Sequence, residues 1–160
     1  MTSRDETSKT VATDAPEPPW LAIARGYLGV REYSPERPGP LGETSNPTIE
    51  AWQSLAGIRR PDDTVPWCAA FVTGVMHEAG FDFRTSSARA WGRFGKPLAT
   101  PRPGAIAVLW RESPTSPHGH VGFYEREDQR GIWLLGGNQG NAVTVRSYPR
   151  ARLVGYRWPA

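Results

Sequence analysis

The stretch Val65-Pro66-Trp67-Cys68-Ala69-Ala70-Phe71-Val72 constrains this chain most. Pro66 disfavours helix at Val65 before it. From Cys68 an apolar run continues through Ala69, Ala70, Phe71, Val72, Val75, Met76 and Ala79 to a natural stop at Gly80. That pattern predicts a buried helix whose first turn holds the chain's only cysteine. A helix start offers unpaired N–H groups and the positive end of the dipole. Both favour a thiolate and can lower a cysteine pKa from about 8.5 towards ~3.5–7.5. A lone cysteine is otherwise a small buried hydrophobe, so its chemistry depends on a matching histidine downstream.

The rest of the chain divides into helices followed by strands. Its 160 residues suffice for one domain with a core, and seven tryptophans argue for folded chain over most of the length. Residues 1–19 are rich in Thr, Ser, Asp and Glu and end in Pro16, Pro18 and Pro19, which predicts a disordered arm. The domain is expected over 20–160. Trp20 to Val30 suits a helix with Trp20, Ile23, Ala24, Tyr27 and Leu28 on one face. Residues 31–45 read as a proline- and glycine-rich loop. Asn46-Pro47 reads as a cap and first helical position, opening a helix that buries Ile49, Trp52 and Leu55 and ends at Gly57. A short serine-capped helix is expected over 86–91. Strands are expected at Ala105–Trp110, His120–Tyr124, Ile132–Leu135, Ala142–Arg146 and Val154–Trp158. Helices first and strands afterwards predict an α+β fold with an antiparallel sheet.

Several classes are excluded. No run of about 18 apolar residues exists, so no stable membrane insertion is expected. The start, Met1-Thr2-Ser3-Arg4-Asp5-Glu6, lacks the basic-then-apolar pattern of a signal peptide, which predicts synthesis in the cytoplasm without Sec export. One cysteine rules out an internal disulfide, and no Cys/His zinc spacing occurs, so neither metal nor other cofactor is expected. The net charge is +3, nearly all cations being arginines scattered along the chain rather than clustered. That reads as a solvated basic surface, with no nucleic-acid partner expected.

A cysteine hydrolase needs an imidazole to take the thiol proton and a third polar group to orient the imidazole. The chain has three histidines. His77, nine residues past Cys68, falls about half a turn away on the same helix and faces the wrong side. His118 lies in a turn. His120 opens an apolar strand, which positions a side chain rigidly. Asn138 follows Ile132–Leu135 in Gly136-Gly137-Asn138-Gln139-Gly140-Asn141. It reads either as the third polar group or as part of a hairpin turn.

The ordered set PWCAAFV, PRPGAIAVLW, GHVGFY and LGGNQGN resembles the NlpC-type and CHAP-type papain-like hydrolases that cleave peptidoglycan. The resemblance spans about Pro19 to Pro159. It implies a papain-like domain with Cys68 as nucleophile, His120 as base and acid, and Asn138 as the third residue, with Gln139 a weaker candidate for that place. Trp67 stands where some CHAP-type members have glutamine. Trp67, Trp91, Arg111 and Gln139 are candidate substrate contacts, as is Trp110, but buried core is the better reading for Trp91 and Trp110. The implied activity is hydrolysis of an amide in the stem peptide or at the muramoyl–alanine link of peptidoglycan. The chain is expected to be monomeric and to reach the cell wall after release or delivery, as a phage lysin or an antibacterial toxin. A toxin implies an immunity protein. The alternatives are a catalytically silent wall- or partner-binding module, and a protease or acyltransferase acting on protein.

Overall fold

The computed structural model describes residues 16–160, so most of the expected arm lies outside the described residues. Three α-helices come first: α1 (Pro19–Gly26), α2 (Pro47–Leu55) and α3 (Cys68–Glu78). A 3-10 turn at Arg89–Arg93 leads into six strands: β1 (Lys96–Leu98), β2 (Ile106–Trp110), β3 (Gly119–Asp128), β4 (Gly131–Gly136), β5 (Thr144–Tyr148) and β6 (Leu153–Trp158). They form one antiparallel sheet in the order β1-β6-β2-β3-β4-β5. The fold is α+β, as the order of periodicities predicts. β1 is absent from that prediction because Lys-Pro-Leu has no alternation of its own; it exists by pairing with β6.

The helices start where their caps put them. The Asn46 side chain accepts from Thr48 N–H at 2.9 Å, and Pro47 fills the first helical position. α1 begins at Pro19 and ends at Gly26, four residues short of the expected Val30. Glu17, counted above with the arm, pairs with Arg25 at 2.7 Å, so folded structure begins before residue 20.

Two apolar layers hold the sheet. Val108, Val121, Phe123 and Leu135 face α3, together with Trp20, Ile49, Trp52 and Phe71 from the helical layer. Alternation turns Ala107, Leu109, Tyr124, Ile132 and Leu134 to the opposite face, where Tyr156 joins them. α3 is buried on every side from Cys68 to Met76. Gly74 is required there, because a side chain would collide with the Trp52 indole of α2.

Two buried polar residues fix the segment that delivers Cys68. Oδ2 of Asp63 accepts from Tyr33 N–H and Asn46 N–H, both at 2.7 Å, and so ties down the 31–45 loop. Gln53 donates to the carbonyls of Asp62 and Val65 at 2.7 and 3.0 Å. These bonds offset part of the polar cost of burial, Asp63 Oδ1 and Gln53 Oε1 being left without a partner, and hold the Asp62–Val65 turn that leads into Pro66.

Candidate active site

Cys68 is the first residue of α3 and is 7% exposed. Burial pushes its thiol up. The backbone N–H groups of Val121, Ala69 and Cys68 itself, with the Arg111 cation, pull the other way without overcoming burial. The helix start therefore acts as expected, but desolvation outweighs it, and the resting group is a thiol rather than the thiolate that helix position alone predicts.

His120 is the second residue of β3, pairs with Leu109 and is 6% exposed. Val121, the next residue, is the one whose N–H acts on the Cys68 sulfur. The Cys68 thiol at the start of α3 thus meets β3 at the residue next to His120. Burial lowers the His120 pKa to about 4; a hydrogen bond to Gln139 opposes this, and the Arg152 and Arg111 cations add to it. Both groups are neutral at rest. His77, at the last turn of α3, and His118, in the turn before β3, are exposed.

The ring's hydrogen bond goes to Gln139, not to Asn138. His120 Nε2 lies 2.9 Å from Gln139 Oε1, and Gln139 is 2% exposed. The amide nitrogen of Gln139 donates to the carbonyls of Leu134 and Thr144 at 3.1 and 2.8 Å. Carbonyls only accept, so the amide cannot be flipped and Oε1 must accept from His120. Nε2 therefore carries the hydrogen, and Nδ1 keeps its lone pair. This is the tautomer in which Nδ1 is free to act as base.

Asn138 has φ +57°. Left-handed backbone is where asparagine is enriched among non-glycine residues, so Asn138 serves the turn. Its expected place beside the imidazole is corrected to Gln139. The preceding glycines set the spacing. A side chain on Gly136 would reach Gln139 Oε1, at 2.5 Å, and one on Gly137 would sit 2.7 Å from Phe71 Cβ and 2.8 Å from the Trp67 ring. The loop is thereby wedged between the start of α3 and the imidazole.

Trp67 leaves its expected place at a cleft, and Trp91 takes the core place expected of it. Trp67 is fully buried and donates Nε1–H to Glu32 at 2.9 Å; Trp91 is fully buried beside Phe83 and Phe94. Neither lines a cleft. Arg111 is exposed, and its charge reaches Cys68, His120 and Tyr148. Tyr148 went unassigned in the sequence, yet its ring lies over His120. Tyr148 ends β5, and no local signal in Ser147-Tyr148-Pro149 announces that contact.

A buried thiol thus sits at the start of α3, and a buried histidine held by an amide sits near the start of the strand whose Val121 N–H meets that thiol. The family model of the CHAP domain matches residues 60–138, a span that includes Cys68 and His120. Over that span, just under half of the chain, the sequence is similar to the CHAP domain. Among solved structures, the P60 domain from M. avium paratuberculosis antigen MAP1272c is similar at 16% identity, over 89% of this chain and 90% of that one, with a TM-score of 0.48. No curated protein matches. Among the described residues no helix is long and apolar enough to cross a membrane.

Proposed function

We propose that the chain is a cysteine hydrolase that cleaves an amide bond in peptidoglycan, with Cys68 as nucleophile, His120 as base and acid, and Gln139 as the residue that orients the ring. The observation that carries this reading is the fixed Nε2–H tautomer of a buried histidine at the head of the strand that touches Cys68. As the Cys68 sulfur adds to the amide carbon, its proton passes to Nδ1. When the C–N bond breaks, Nδ1 returns that proton to the leaving amine, and a thioester remains. Water then adds to the thioester, giving its proton to Nδ1; the C–S bond breaks and the proton returns to sulfur. The Cys68 and Val121 N–H groups are suited to the developing oxyanion.

The cations Arg111 and Arg152 around the site favour an anionic substrate, which agrees with the carboxylates of stem peptides. In this reading the chain meets its substrate after release or delivery, as a lysin or a toxin, and only a toxin calls for an immunity protein. Digestion of purified sacculi with mass spectrometry of released fragments tests the reading and names the bond. Cys68→Ala should abolish digestion with the fold intact, whereas His77→Ala and His118→Ala should keep most of it. Full activity in a folded Cys68→Ala protein would overturn the mechanism. Sacculus binding without fragments would favour a silent binding module.

A further inference from the structure

Tyr148 is the last residue of β5, opposite Ile132 of β4. Its ring centroid is 5.0 Å from that of His120 at an interplanar angle of 31°, and its hydroxyl oxygen is 3.2 Å from His120 Nε2. Gln139 decides what this contact is. Because the Gln139 amide nitrogen faces two carbonyls, Oε1 accepts and Nε2 carries the hydrogen. An N–H cannot accept, so the Tyr148 oxygen is a second acceptor for the same hydrogen. Burial first, and then the negative charge Cys68 carries once ionised, push the Tyr148 hydroxyl up to about 12, so it is a neutral phenol at working pH. The other charges acting here are Arg111 and Arg152 on both rings and Arg146 on Tyr148.

The same strand supports the first acceptor. The Thr144 carbonyl holds the Gln139 amide, and the Thr144 hydroxyl donates to the Gln139 carbonyl at 2.9 Å. β5 therefore anchors Gln139 at its first residue and presents Tyr148 at its last. Two acceptors on one N–H suit a ring that turns cationic when it takes the thiol proton, because hydrogen bonds from a charged donor are stronger.

We propose that Tyr148 is a positioning residue whose hydroxyl shares the His120 Nε2–H with Gln139, fixing the ring during the reaction. Its catalytic consequence rests on the hydrolase reading; the hydrogen bond does not. The test is Tyr148→Phe, which keeps the ring packing and removes only the oxygen. At neutral pH the His120 Nε2–H proton resonance should move upfield and exchange faster with water, while the ring nitrogen shifts report the same tautomer. On sacculus fragments kcat should fall about tenfold with KM little changed, the size of one lost hydrogen bond to a charged group. An unchanged resonance, or an unchanged kcat, overturns the proposal. If Cys68→Ala, run alongside, digests like the wild type, the hydrolase reading falls instead, and the resonance alone decides the Tyr148 contact.

Discussion

A buried neutral imidazole has a cost that acid should reveal. Burial holds the His120 pKa at about 4, against an ordinary 6.5 in the unfolded chain. Below pH 6.5 the unfolded chain therefore binds a proton that the folded one refuses. Stability must fall with pH through this window at up to about 1.4 kcal/mol per pH unit. The contribution is complete above pH 6.5 and wholly lost below about 4. Over the full interval the loss is ~3 kcal/mol, a large share of a typical total of about 5–15 kcal/mol. The control is His120→Gln, which removes the titration and keeps an N–H donor for Gln139 Oε1. Urea unfolding followed by tryptophan fluorescence from pH 8 to pH 4 should show the wild type losing ~3 kcal/mol more than the variant, with the divergence starting near pH 6.5. All other groups are common to both proteins and cancel. Parallel curves would show that the imidazole is not kept neutral, and the argument from burial would be refuted.

Gln139→Ala should lower kcat on the order of 10²-fold through lost positioning, and should cost about 1–3 kcal/mol as the Leu134 and Thr144 carbonyls lose their donor. Asn138→Gly should stay near wild type in both assays, since glycine accepts a positive φ. A damaged Asn138→Gly beside an active Gln139→Ala would reverse the assignment. Gly137→Ala should destabilise by about 1–3 kcal/mol, because the added methyl meets Phe71 Cβ and the Trp67 ring with no room to retreat; thermal melting would show it, and an unchanged melting temperature would mean that the loop and α3 are not wedged together.

Much of this fold is legible in the sequence because local signals and tertiary packing agree. Asn46-Pro47 caps a helix wherever the chain folds, and the apolar run from Cys68 makes a helix only when buried on all sides, as α3 is. β2 to β6 follow their apolar stretches to within a few residues. The unread parts depend on distant partners. Lys96–Leu98 becomes a strand through β6 alone. Asp63 looks like a surface acid in Pro61-Asp62-Asp63-Thr64, yet it is fully buried as the acceptor for two loop amides. The Cys68 thiol was read from its helix position, but the depth of its burial comes from the packed sheet, and burial wins.

The exchange of Asn138 for Gln139 has a definite backbone cause. His120 shares its sheet face with Leu109, its pairing partner, and alternation places Leu134 on that face as well. Counting on by twos from Leu134 gives Gly136 and then Asn138, so a strand read in sequence puts Asn138 beside the imidazole. The strand ends at Gly136, however, and the count ends with it. At Asn138 the backbone turns left-handed, with Gly140 and Asn141 also at positive φ, and Gln139 N–H closes the turn on the Ala142 carbonyl at 3.0 Å. One residue in that conformation reverses the facing of the next, which carries Gln139 inward to the ring and leaves Asn138 half-buried at the rim. An asparagine that suits the turn and a glutamine long enough to span from Thr144 to His120 together do what the alternating pattern would ask of a single asparagine.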